Sequence, residues 1–306
     1  MRTQDRLTAP GTSGDLPIVA TQSQLTEAHL NLPADRLAAS SGTPLRIMDS
    51  ADALYRWLVR LMADEIKTNN ERGEPTRWII PVGPKGNFSY LAEICNAERI
   101  SWRNVWAFHM DEYADWQGRL VPEDHPFSFR GYCQRHLYGL LDPDLLPPAH
   151  QVVFPELPNI DDFSDKLAEV GGADTCFAGY GFRGHVAFNE PPSTRWTEVT
   201  VEEFAASRTR LVPLLEDTFV AHSHRMMGGY TRALPPMALT IGMADILAAR
   251  KIHLITDGGA WKRYITRAYL FTSTPDVMLP VTLCKLHPNV ELTVDAASAE
   301  PIEIGL

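Results

Sequence analysis

Residues Ala53, Leu54, Trp57, Leu58, Leu61 and Met62 recur at three- and four-residue intervals, the signature of one apolar helix face. Asp49 or Ser50 is placed to cap this helix, and Gly73 with Pro75 to end it. Then the period changes. Residues 78–82 form a short, nearly continuous apolar run, followed by a Gly/Pro turn and a helical pattern through 90–96. Similar runs recur at 105–110, 175–178, 238–241, 252–256 and 290–294. A short helix to Ala249 follows the run at 238–241, and a helix from about Ala260 to Phe271 follows the run at 252–256. Apolar strands alternating with amphipathic helices predict a Rossmann-like α/β fold, a mostly parallel sheet flanked by helices on both faces.

In such sheets ligands bind beyond the carboxyl ends of the strands, near a switch in strand order. Four loops follow predicted strands: 83–87, 111–116, 179–185 and 257–262. That coincidence points to an enzyme or a small-molecule binder. Asp111 and Glu112 stand directly after a strand, where a shielded carboxylate serves as a general base or, more mundanely, as a helix cap. Glycines 179, 181 and 184 bracket His185, with Glu190 five residues on. An imidazole beside a carboxylate is held in one tautomer and shuttles a proton near neutral pH. Gly83, Lys85 and Gly86 lie in a strand-to-helix loop whose backbone amides and lysine charge suit an anion, although it has no P-loop pattern. Lys262 opens a helix, a position that disfavours a cation unless an anion sits there too. His222, His224 and Arg225 form a cationic cluster that either joins that site or is plain surface.

The 306 residues carry a formal charge of −10, so nucleic acid and anionic membranes are not the expected partners; a local basic pocket for an anionic metabolite is compatible with it. Cys95, Cys133, Cys176 and Cys284 have no metal-type spacing and read as buried apolar side chains. Neither a metal nor an organic cofactor is implied. No signal-peptide pattern opens the sequence and no apolar run approaches a membrane span, so the cytoplasm is the expected compartment. Residues 1–44, rich in Thr, Ser, Ala, Pro and Gly, read as a mobile or surface-wrapping extension with one short helix near 22–30. Residues 45–306 read as a single α/β domain.

Several motifs together resemble the glucosamine-6-phosphate deaminase/isomerase family: MDEY at 110–113, GHVAFNEP at 184–191, SRTR at 207–210 and ALTIG at 238–242, with His125, Pro126 and Ser128 after the first. The resemblance runs from about Leu45 to Pro301. It implies an enzyme that opens a phosphorylated amino-sugar ring, moves a proton between C2 and C1, and releases ammonia. By position Asp111 would take the C2 proton, and His185, oriented by Glu190, would assist ring opening. Lys262 would hold the phosphate with the 83–87 loop and with Arg225 or His224, and Arg210 matches a residue of the family's allosteric site. Members are often oligomeric, so a homo-oligomer is possible on this ground.

The chain departs from the family pattern at two places that matter for substrate. The usual Asp-Gly-His reads Arg183, Gly184, His185. Arg183 either lowers the imidazole's proton affinity or points into the pocket to bind a carboxylate or second phosphate. The phosphate loop reads PVGPKG at 81–86, without the family's hydroxyl donors. An altered substrate preference follows as the leading expectation. A sugar-phosphate sensor without chemistry, and a lactonase-like hydrolase, are the alternatives; the Asn189-Glu190-Pro191 ending speaks against the lactonase.

Overall fold

The computed structural model describes residues 25–83, 86–157, 160–192 and 198–302. Ten strands are present among them: β1 (Leu45–Met48), β2 (Thr76–Ile80), β3 (Val105–His109), β4 (Asp111–Ala114), β5 (Val152–Val153), β6 (Thr175–Ala178), β7 (Arg210–Pro213), β8 (Met237–Thr240), β9 (Lys251–Thr256) and β10 (Val290–Asp295). Seven form one parallel sheet in the order β1-β10-β9-β6-β2-β3-β5. From β2 the chain runs outward through β3 to β5, whereas β6, β9 and β10 run the other way. The order therefore switches between β2 and β6, and a crevice opens at their carboxyl ends.

The strands are apolar throughout because both sheet faces are covered. Trp78 and Ile80 of β2 pack in one buried cluster with Leu54, Leu58 and Met62 from the helix Ala51–Arg72, while Ile79 packs in the cluster on the opposite face. Alternation along the strand makes this division. Ser50, not Asp49, caps the long helix: its Oγ accepts from the Ala53 amide at 3.1 Å, a contact worth about 1 kcal/mol. Gly73 ends it in the left-handed region at φ 70°.

Two differences from the sequence reading concern the second half of the fold. The run at 238–241 does not join the parallel sheet; β8 pairs antiparallel with β4 and β7 in a separate three-stranded sheet. Residues 111–114 are accordingly a strand and not a loop. The two carboxylates just after β3 make 111–114 read as a loop, and no Gly or Pro separates the two strands. Met110 is the joint: its amide donates to Ile80 of the large sheet and its carbonyl accepts from Ile241 beside the small one.

Residues 25–44 hold two helices, Glu27–Leu30 and Ala34–Ser41, where the sequence suggested one. Residues 22–24 of the expected helix lie outside the described residues. Leu37 is fully buried in the core, and the Arg267 guanidinium donates to the carbonyls of Leu32 and Ala299, each at 3.0 Å.

Candidate active site

A cavity of about 370 Å³ fills the crevice at the switch point, within the size range of small-molecule sites. Three strand ends supply its floor: Pro81, Val82 and Gly83 after β2, Gly179, Tyr180 and Gly181 after β6, and Ile255, Thr256 and Asp257 at the end of β9. Of the sequence-derived candidates, Asp111, His185, Gly83, Arg225 and Lys262 line this one cavity.

β4 divides its two carboxylates by alternation. Asp111 and Tyr113 face the cavity, and Glu112 faces away. The Glu112 oxygens accept from the amides of Tyr113, Phe129 and Arg130 and from the Ser128 hydroxyl, at 2.8–3.0 Å. Glu112 thereby satisfies free N–H groups at the start of the helix Phe129–His136, where a negative charge is favoured. Asp111 is 7% exposed, and burial, with the neighbouring Glu112 charge, raises its carboxyl well above the usual carboxylate range. Such a carboxyl exchanges a proton closer to neutrality than a solvated one.

His185 sits in the turn after β6. Its Nδ1 is 3.0 Å from Glu190 Oε2 and 3.3 Å from the Thr218 hydroxyl. A carboxylate only accepts, which assigns the proton to Nδ1 and the lone pair to Nε2. Gly181 lies directly against that nitrogen: a Cβ there would fall 1.8 Å from Nε2. The segment that carries the pair is tightly wound, with Ala187 at φ 52°, a rare conformation for a residue with a side chain. Asn189 holds it closed, its amide nitrogen donating to the carbonyls of Val186 and Ile241 at 2.9 and 3.0 Å. Arg210 of β7 donates to Asn189 Oδ1 at 2.8 Å, so this arginine buttresses the histidine segment from the small sheet.

The helix Glu216–Met227 forms another wall. His222, Arg225 and Met226 line the cavity at helical spacing, while His224 is exposed and outside the wall. The spacing resolves which of the two neighbours faces inward. His222 Nδ1 lies 3.0 Å from the Tyr113 hydroxyl.

Lys262 is 5% exposed, and burial lowers its ammonium to a pKa of about 7, against the pull of Asp257 and with the push of Arg225. Its Nζ lies 4.1 Å from the Trp261 ring centre and 5.1 Å from that of Tyr180; among the described residues it makes no ion pair. Asp257 accepts a hydrogen bond from the Tyr55 hydroxyl. Gly86, at φ 125°, begins the helix Asn87–Ala97 and leaves room for the Tyr55 ring. Lys85 lies outside the described residues.

Arg183 is not part of the cavity wall. Its Nη1 pairs with Asp217 Oδ2 at 2.6 Å, and both side chains are nearly half exposed. Neither of the two behaviours expected of Arg183 from sequence takes this neutralising carboxylate into account. Tyr55, Tyr180, Thr218 and Trp261 escaped the sequence reading as site residues. His222, named from sequence as part of the cationic cluster, lines the cavity with Arg225, three residues and about one helical turn on.

No protein-family model matches the chain. It is 32% identical over 227 residues to the glucosamine-6-phosphate deaminase of Rhodopirellula baltica, covering 72% of this chain and 81% of that protein. To the enzyme of that name from Caenorhabditis elegans it is 31% identical, covering 70% and 76% respectively. With that of Phocaeicola vulgatus it shares 28% identity over 271 residues, 85% of this chain and 95% of the relative. Among solved structures, a monomeric glucosamine-6-phosphate deaminase of the NagB superfamily superposes with a TM-score of 0.70 at 23% identity, covering 84% of this chain and 99% of its own. A 6-phosphogluconolactonase from Leishmania guyanensis shares the fold at a TM-score of 0.61 and 15% identity, covering 86% and 99%. With its Asp111, His185–Glu190 pair and Lys262 gathered at one switch point, and with this degree of identity over most of its length, the chain belongs to the glucosamine-6-phosphate deaminase family.

Proposed function

We propose that this protein is a sugar-phosphate isomerase and deaminase that moves a proton between C2 and C1 of an open-chain amino-sugar phosphate. The observation that carries the reading is the convergence, in one cavity, of a buried carboxyl with raised proton affinity, a tautomer-fixed imidazole and a buried amine. His185 Nε2 takes the proton of the ring hydroxyl as the ring opens and returns it to the ring oxygen. Asp111, ionised, removes the C2 proton next to the new C1 function. The electron pair shifts toward C1, C1 is reprotonated, and the double bond comes to lie between C2 and nitrogen. Addition of water to C2 expels ammonia and leaves the ketose phosphate, so one water is consumed for each ammonia released. Lys262 and Arg225 hold the phosphate, fixing C1 and C2 against the base.

Arg183, paired with Asp217 outside the cavity wall, leaves the His185–Glu190 pair intact, so a substrate preference altered from that of the relatives rests on the sequence departure of the loop at 81–86. The intact pair also favours an enzyme over a sensor without chemistry. The test is incubation of pure protein with glucosamine 6-phosphate and with other aldose and amino-sugar phosphates, measuring ammonia and ketose phosphate. Turnover of at least one, abolished in Asp111→Asn, is the expected result. Tight binding with no product from any would overturn the enzymatic reading.

A further inference from the structure

Trp261 lines the cavity, and three neighbours converge on its indole. The Arg225 guanidinium carbon lies 4.5 Å and Lys262 Nζ 4.1 Å from its ring centre, and Phe182 stacks on it at 6.1 Å with planes 16° apart. The ring thus stands between two cations that repel each other, and its π-electrons are attracted to both. The indole N–H has no such compensation: Nε1 is buried and has no hydrogen-bond partner. A buried donor left unpaired carries a cost, and one on a residue that borders a ligand cavity is placed to be completed by what binds there.

Gly258 indicates where that completion occurs. It holds φ 116°, and a Cβ built on it would fall 2.6 Å from Trp261 Nε1 and 3.3 Å from an Arg225 Nη2 nitrogen. Glycine therefore leaves the indole N–H and the guanidinium to approach one another over the loop that follows β9. Two donors and a neighbouring ammonium, with one carboxylate in reach that already accepts from Tyr55, make this end of the cavity positive and under-supplied with acceptors.

We propose that the Trp261 indole N–H is a third donor to the substrate's phosphate, beside Lys262 and Arg225, and that it makes Trp261 a specificity-determining residue. The inference rests on reading Lys262 and Arg225 as the anion anchor. A fixed N–H donor bonds more strongly to a charged phosphate oxygen than to a neutral hydroxyl, so it widens the preference for a phosphorylated substrate.

Inorganic phosphate is the probe, with the full-length protein and calorimetric titration. Trp261→Phe keeps an aromatic ring against both cations and removes only the donor. Its phosphate Kd is expected to rise about tenfold or more, in line with losing a hydrogen bond to a charged group. Heteronuclear NMR of the unaltered protein gives a second readout, with Trp261→Phe serving to assign the resonance. The indole N–H resonance absent from Trp261→Phe should move downfield when phosphate is added. Loss of phosphate binding in Lys262→Met and Arg225→Met, with an unchanged Kd in Trp261→Phe and no indole shift, would overturn the inference and leave the anchor standing. Retention of phosphate binding in both cation variants would overturn the anchor itself, and the inference with it.

Discussion

Replacing Lys262 by methionine should stabilise the protein while removing its grip on the anion. The amine is buried, and its pKa falls from 10.5 to about 7. The folded value is depressed, so the stability tied to this group is present in full above the unfolded value of 10.5 and is lost as pH falls towards about 7. At about 1.4 kcal/mol per tenfold in proton affinity, that loss is about 4 kcal/mol at pH 7 and about 2 kcal/mol at pH 9. Methionine fits the same apolar surroundings without charge, but forgoes cation–π contacts with Trp261 and Tyr180 of about 1 kcal/mol each. The net gain is then roughly 3 kcal/mol at pH 7, where about half the amines are charged, or about 6 °C in Tm for a domain of this size, and about 2 kcal/mol at pH 9, where the folded amine is neutral and no cation–π contact is lost. Thermal melts of both proteins at the two pH values, with and without phosphate, measure it. Phosphate should raise the Tm of the unaltered protein and leave the variant's unchanged. Equal melting temperatures at both pH values, with phosphate stabilising both proteins alike, would refute the idea of an uncompensated buried amine completed by an anion.

Three further experiments probe the supports of the site. Gly181→Ala places a methyl group 1.8 Å from His185 Nε2, so the imidazole must move; kcat with the best sugar phosphate should fall about 100-fold while the circular dichroism spectrum stays native. Arg210→Ala leaves Asn189 Oδ1 buried without its donor, and should cost about 1–3 kcal/mol in a denaturant titration, with a loss of activity that Arg210→Lys partly restores. Arg183→Ala and Asp217→Ala, combined in a double-mutant cycle, should show a coupling of about 0.2–1 kcal/mol that fades in high salt, because both side chains are nearly half exposed.

The sequence exposed β2, β3, β6, β9 and β10 of the large sheet, because strands buried on both faces are continuous apolar runs; the two edge strands, β1 and β5, are only partly buried and went unread. Thr175, Cys176, Phe177 and Ala178 are all buried, and β6 occupies the residues its run predicts. The small sheet was hidden for the converse reason. β4 and β7 have four residues each, β4 opens with two carboxylates that read as the loop after β3, and β7 ends in Pro213. Asp111, His185 and Lys262 were legible as chemistry because each follows a strand. Residues that reach the cavity from a distant helix were not. Tyr55 enters from the helix Ala51–Arg72, and Thr218 approaches His185 from 33 positions along the chain; only the packing of helices over the crevice brings them there. The side-chain direction at 224 and 225 needed the helix phase, which a three-residue cationic cluster alone does not set.

The division of Asp111 and Glu112 across β4 makes the small sheet a gauge of registration. A slip of one residue against β8 would send every side chain of β4 to the opposite face. Glu112 would enter the cavity on a longer stem, and the helix Phe129–His136 would lose the carboxylate that anchors its start. A single insertion or deletion within 110–114 therefore cannot damage the chemistry while sparing the architecture, or the reverse. In this protein the length of that segment matters as much as its residue identity, because one backbone ruler sets both the reach of the base and the seat of the helix.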